Sequence, residues 1–280
     1  MEHVHVTKYS GESEPYDESK LRASLSSAGA SPQIIDQIAK NIREQLYDGI
    51  STQKIYSEAF RQLKKDSTSS AGKYKLKEAL FELGPSGYPF EKFIGELFNR
   101  QGYDTNVGIT MPGDCVTHEI DVIARKKDEF LMVECKFHNR SQHHCNVKVP
   151  LYIQSRFLDI KEKWSHQPGH KFKVHKGCVA TNTRFTTDAV QYASCVGLRL
   201  LSWDYPKREG IKDLVRQYNL HPVTCLSSLE KEEKALLLEK NVIFCRQIWE
   251  DKEILKTAGI NPRHVNKIAK EAAEICNHQP

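Results

Sequence analysis

The sequence predicts an α/β centre with a mixed β-sheet core, flanked by helices and set between two mostly helical segments. Three observations carry this. Two apolar runs of strand length meet at a short charged turn between His118 and Lys136, which is the pattern of a β-hairpin. Apolar residues at helical spacing dominate both ends of the chain, from Ile34, Ile38 and Ile42 near the start to Leu226, Leu229, Leu236, Leu237 and Ile248 near the end. Gly84-Pro85-Ser86-Gly87 is a strong breaker at the point where the rhythm changes. Segments 1–84, 85–205 and 206–280 follow.

In the first segment a short strand, Val4 to Lys8, turns at Gly11. Leu21, Leu25 and Ala28 line one helix face. Ser31-Pro32 supplies an N-cap and a first-turn proline for a second helix that ends at Asp48-Gly49. Ser51 or Thr52 caps a third, with Ile55, Ala59, Phe60 and Leu63 inward. A polar stretch, Lys64 to Ser70, separates it from a last helix carrying Tyr74, Leu76, Leu80 and Phe81. The centre runs from a helix (Phe90 to Arg100) through the hairpin and a His-rich loop to a helix from Lys148 to Trp164. A strand (Phe172 to Thr181), a helix (Thr187 to Cys195) and a short strand (Leu198 to Trp203) complete an α-β-β-β-α-β-α-β order. The last segment is helical, with a turn at Ala258-Gly259-Ile260-Asn261-Pro262.

Composition bounds the function only loosely. A formal charge of +5 permits nucleic acid as a partner without demanding it. The eight cysteines are scattered with no Cys-x-x-Cys, as reduced thiols would be. No run approaches the roughly 18–20 apolar residues of a membrane span. The N-terminus lacks the features of a secretory signal, so a cytoplasmic protein without membrane contact is expected.

Chemistry concentrates in the hairpin. Side chains alternate along a strand, so Glu134 and Lys136 point one way and Cys135 the other. If Asp121 shares their face, two carboxylates and an ammonium converge, a set able to hold a hard divalent cation and a water for phosphodiester cleavage. His138, His143, His144 and Cys145 match no usual zinc-finger spacing and read as a loop flanking the site, with Arg140 and Lys148 near phosphates.

Taken with Phe90-Glu91, Gly102-Tyr103, Gln154 and the run Thr181 to Thr186, the segment resembles the Mrr-like branch of the PD-(D/E)XK nucleases, which have the restriction endonuclease fold. The resemblance implies that Asp121 and Glu134 ligate Mg²⁺ or Mn²⁺ with the carbonyl of Cys135. It implies that Lys136 orients the attacking water, Glu91 supports the metal, and Gln154 contacts the sugar-phosphate or positions the site. Glu119, on the strand face of Asp121, is an extra acid in place of the usual Gly-x-Asp-like run; it is either a second ligand or the partner of a lysine.

Val6-Thr7-Lys8, Gly11, Glu14, Asp17, Lys20-Leu21, Tyr47 to Thr52 and Tyr74 to Lys77 resemble the ATP-cone, a nucleotide-sensing module. Lys8 and Lys20 would then meet a triphosphate. Thr52 would add a hydroxyl at a helix N-terminus, and Glu14 or Asp17 would accept from adenine or ribose. Lys8-Tyr9-Ser10-Gly11 replaces the usual Lys-Arg-Asp-Gly. No phosphate-cradling Gly-x-x-x-x-Gly-Lys loop occurs, so ATP or dATP is expected as effector rather than fuel. Residues 254–270 faintly resemble a helix-hairpin-helix in which Arg263, His264, Lys267 and Lys270 assist phosphate contacts; a helical cap or dimerisation element fits equally.

The expected function is a metal-dependent DNA endonuclease regulated by an adenine nucleotide and acting as a homo-oligomer. The alternative is a nucleotide-responsive DNA-binding regulator that uses the same fold without cutting.

Overall fold

The structure is a computed structural model that describes residues 4–8, 11–140, 142–167 and 174–277. Tyr9 and Ser10 in the first turn and Phe172, the expected start of a strand, lie outside the described residues. The chain forms two compact units. Leu80–Leu220 is one; the other joins Met1–Ala79 to His221–Pro280.

The first unit opens with strand β1 (His5–Thr7), paired antiparallel to β2 (Ser13–Pro15). Helix α1 (Glu18–Ser27) starts where the Asp17 carboxylate accepts from the Ser19 amide. Helix α2 (Pro32–Glu44) is capped by Ser31 as expected, but it stops short of Asp48. The chain then turns into β3 (Ile50–Ser51), which runs parallel to β1. Ser51 caps α3 (Thr52–Asp66), its hydroxyl accepting from the Lys54 amide.

The polar stretch from Lys64 is not a linker. Only Ser67 separates α3 from α4 (Thr68–Tyr74), and it caps α4 through the Ser70 amide. Ser69 and Ser70 are buried because their small side chains let α4 pack closely. A second break separates α4 from α5 (Leu76–Phe81).

The second unit begins with α6 (Tyr88–Arg100), then β4 (Asp104–Pro112), β5 (Thr117–Lys126) and β6 (Glu129–Lys136). Next come β7 (His144–Cys145), α7 (Lys148–Ser165), β8 (Val174–Thr181), β9 (Arg184–Phe185), α8 (Thr187–Val196), β10 (Arg199–Leu201) and α9 (Ile211–Tyr218). The main sheet has the order β10-β8-β6-β5-β4. Its β4-β5-β6 half is antiparallel and its β6-β8-β10 half parallel. β7 and β9 form a separate two-stranded pair under the His-rich loop.

The central strands are buried on both faces, which is why they read as nearly continuous apolar runs. Helix α7 covers the face of Ile123 and Met132 with Ile153, Phe157 and Ile160. Helix α6 covers the other, where Gly95 lets it close on β4 and β5: a Cβ there would meet Val107 at 3.1 Å. Residues 206–220, which the sequence pattern groups with the C-terminal helices, belong to this central unit.

The chain then returns to the first unit with α10 (Lys231–Glu239), α11 (Cys245–Glu250), α12 (Glu253–Thr257) and α13 (Pro262–Asn277). Gly259, at φ +84°, makes the turn between the last two. Helix α13 packs on both α11 and α4. Gly72 of α4 is needed there, since a Cβ would meet the Cys225 carbonyl oxygen and Ile275 Cδ1, each at 2.9 Å. The Thr224 hydroxyl donates to the carbonyl of Ala79 at 2.7 Å. Glu271, almost fully buried, accepts from the amides of Ser227 and Ser228. Among the described residues no helix is long and apolar enough to cross a membrane.

Candidate active site

Strand register places the acids. β5 and β6 pair Val122 with Val133 and Ile123 with Met132. One step further along the same register, Asp121 faces Glu134, and residues facing each other across a ladder share a side of the sheet. Asp121 Oδ2 accepts from the Cys135 amide at 2.7 Å, which fixes its carboxylate at the strand end. Lys136, two residues past Glu134 on the same side, sets its Nζ 2.6 Å from Glu134 Oε1. Glu134 and Lys136 are in contact, and Asp121 feels the charges of both. Cys135 points away, and burial pushes its thiol far above the ordinary range, so any ligand it offers is its carbonyl.

A fourth group was not foreseen. Arg156 of α7 places Nη1 2.6 Å from Glu134 Oε2 and also donates to the carbonyl of Glu119. Both oxygens of Glu134 are therefore held by cations. Gln154, on the same helix, has a buried Oε1 without a hydrogen-bond partner among the described residues.

Glu91, in the first turn of α6, joins the acids electrostatically. Burial, then the charges of Asp121, Glu119 and Glu134, push its carboxyl up to about 7. Burial and then Glu134 push Asp121 up to about 6, against the lowering effect of the Cys135 amide, Lys136 and Arg156. Both acids hold protons into the neutral range because like charges crowd a poorly solvated spot.

Two polar clamps position this centre. On the far side of Lys136, Asn182 is fully buried and pairs with the backbone of His138, its Oδ1 accepting from the amide and its Nδ2 donating to the carbonyl, both at 2.9 Å. Thr181 donates to the Lys136 carbonyl at 2.7 Å. The side chains of Thr181 and Asn182 thus continue the β6–β8 ladder. Before Asp121, Asp159 of α7 accepts from the amides of Cys115 and Val116 and pairs with His118 Nε2 at 2.6 Å. That pairing holds the Asp159 carboxyl well below the usual range.

In the His-rich loop, His138 stacks on His143 and its Nε2 lies 3.4 Å from Cys145 Sγ. Among the described residues no three His, Cys, Asp or Glu side chains gather closely enough to cage a metal, here or at the acids.

In the first unit, Glu14 bridges Lys8 at 2.8 Å and Lys20 at 3.2 Å. Both lysines hold the Glu14 carboxyl below its ordinary value. Asp17 is committed to capping α1. Thr52 follows Ser51, which pairs with Thr7 beside Lys8. A groove of about 530 Å³ between α2 and α3, lined by Asn41, Glu58, Arg61 and Lys65, includes none of these residues. In the last segment, His264 pairs with Glu233 at 2.7 Å and Lys270 lies 4.0 Å from Glu274.

Fold and sequence together define the class: a restriction endonuclease-like domain with an ATP-cone in front. Residues 84–205 match the family described as restriction endonuclease, residues 4–76 the ATP cone domain, and residues 221–276 the family described as AF1548-like, C-terminal. A protein of Archaeoglobus fulgidus, described as uncharacterized, is 33% identical over 183 residues, spanning 65% of this chain and 99% of that protein. The crystal structure of AF1548, a protein of unknown function, is similar with a TM-score of 0.57 at 32% identity, covering 68% of this chain and 98% of that one. The chain belongs to the AF1548-like family.

Proposed function

We propose that the chain is a DNA endonuclease that requires Mg²⁺ or Mn²⁺ and responds to ATP or dATP. The observation that carries this is the meeting of Asp121, Glu134 and Lys136 on one side of the β5–β6 ladder, with Glu91 electrostatically coupled to them. A DNA-binding scaffold has no need of that arrangement.

The donor set suits a hard cation, since Asp121, Glu134, Glu91 and the Cys135 carbonyl all offer oxygen. Glu134 has to release one of its two cationic partners to take part. A bound Mg²⁺ would supply a lowered water pKa and offset charge on the scissile phosphate. Lys136 would hold the attacking water and favour its deprotonated form. Arg156, once turned from Glu134, would be available to a non-bridging phosphate oxygen. The orphan Gln154 oxygen would accept from a water or a base edge.

In the ATP-cone, a triphosphate would replace Glu14 between Lys8 and Lys20, leaving Glu14 for the adenine amino group or the ribose. Asp17 would act from its cap position, and Thr52 from the start of α3. One such site cuts one strand, so double-strand cleavage would take a homodimer.

The test is a supercoiled plasmid incubated with Mg²⁺. The parent should nick it, while Asp121→Asn and Lys136→Ala should leave it intact yet still shift it on a gel. Full activity in either variant sinks the reading. A parent that shifts DNA but cuts neither the plasmid nor DNA with a single-stranded segment points to the binding regulator instead.

A further inference from the structure

Two exposed tyrosines each sit one helical turn from a residue of the site, Tyr88 from Glu91 on α6 and Tyr152 from Arg156 on α7. Tyr88, three residues before Glu91 on α6, is 48% exposed, and Tyr152 on α7 is 59% exposed. Each carries a cation over its ring: Lys92 Nζ lies 4.8 Å from the Tyr88 centroid, and the Arg156 guanidinium carbon 5.5 Å from that of Tyr152. On α7, Lys148, Tyr152 and Arg156 recur every four residues, so they form one stripe. Its far end is the guanidinium that touches Glu134.

Single exposed aromatics are common and mean little. Two of them, on different helices, beside one set of acids and each paired with a cation, form a more specific arrangement. Aromatic faces accept the faces of bases, and the neighbouring cations meet the phosphates between them. Bases inside a duplex are stacked on each other and present only their edges, so these rings have nothing to stack on there. We infer that the strand entering this site is unpaired, and that its bases stack on Tyr152 on one side of the scissile phosphate and on Tyr88 on the other. The substrate class is then DNA with a single-stranded segment at the cut: a flap, gap, bubble or free strand. This rests on the nuclease reading for the identity of the site, but stacking itself is measurable without cleavage.

The experiment uses the full chain with Ca²⁺ in place of Mg²⁺, and an oligonucleotide carrying the fluorescent base 2-aminopurine in a single-stranded gap. Binding should quench the fluorescence. Tyr152→Leu and Tyr88→Leu should each abolish quenching at one position and weaken gap binding roughly 5- to 150-fold, the range for loss of one base–aromatic stack. Tyr152→Phe should retain both properties, which separates stacking from loss of the hydroxyl. Binding to a continuous duplex should be unchanged in all three. Equal affinity for gapped and continuous DNA, with the leucine variants behaving like the parent, overturns the inference. If quenching and its loss occur as stated but the same DNA stays uncut in Mg²⁺, the nuclease reading fails while the stacking surface stands.

Discussion

Asp121 and Glu91 make the pH dependence of cation binding a sharp test of the site. With carboxyls near 6 and near 7, both hold protons that a divalent ion has to displace. Proton competition at these two coupled groups makes the apparent affinity at pH 5 weaker than at pH 8 by up to about a thousandfold. Ordinary carboxyls near 4 would lose less than about twofold over the same interval. The sign runs opposite for folding. A carboxyl raised in the folded chain favours folding most at acid pH, so the cluster's contribution to stability declines as pH rises from about 4 to about 7. Calorimetric titration with Mn²⁺ in buffers from pH 5 to 8 reads the affinity directly. Glu91→Gln removes one of the two groups and should cut the loss at pH 5 to about tenfold. An affinity that is flat across the range, or a Glu91→Gln profile identical to the parent's, would refute the reasoning.

Other variants probe the groups around this cluster. Arg156→Gln should bind Mn²⁺ at least about fivefold tighter, because a cation at ion-pair distance from Glu134 is worth about 1 kcal/mol even with the full screening of water, a lower bound for this buried pair; unchanged or weaker binding by calorimetry counts against competition for Glu134. Asn182→Ala should destabilise the chain by about 2–4 kcal/mol in urea unfolding, since the His138 amide and carbonyl lose their partners in a buried setting. A loss below about 0.5 kcal/mol would show that the clamp is dispensable. Lys20→Ala should weaken ATP about tenfold or more, the worth of one charge-assisted hydrogen bond to phosphate; ATP binding equal to the parent's would remove Lys20 from the nucleotide site.

The chemistry of the hairpin was legible because it is local. The turn between β5 and β6 and the two-residue period of each strand suffice to put Glu134 and Lys136 on one side, and Asp121 opposite Glu134 follows from the register. Arg156 was not legible. It sits 22 residues from Glu134, and nothing in the helical pattern of α7 says which polar residue will overhang the end of a strand. Strand β4 carries little apolar signal because it is an edge strand, half exposed along its length. The polar stretch from Lys64 to Ser70 looked like a break between helices by composition, whereas the small size of Ser69 and Ser70 is what allows α4 to approach its neighbours. The joining of the two chain ends into one unit leaves no local trace at all. The contact from Thr224 to Ala79 spans 145 residues.

Charge balance gives the acid cluster its logic. Glu91, Glu119, Asp121 and Glu134 bring four carboxylates, and Lys136 and Arg156 both pair with one of them, Glu134. The deficit is two positive charges, which is the charge of one divalent ion. A purely structural ion-pair network would have no reason to stop there, because half-buried carboxylates left short of positive charge, here Glu91 and Asp121, oppose folding, whereas Glu119 is exposed. The proton affinities fit that picture: Asp121 and Glu91 take up protons more readily than ordinary acids because burial disfavours their charged forms and the neighbouring carboxylates add to it. On the proposed reading, such a site would be poised between two states, protonated at acid pH and metal-loaded at neutral pH. The two cationic side chains then have work in both. They hold Glu134 in place in the metal-free cluster, and they would be free to turn toward a phosphate once a divalent ion took over the carboxylates.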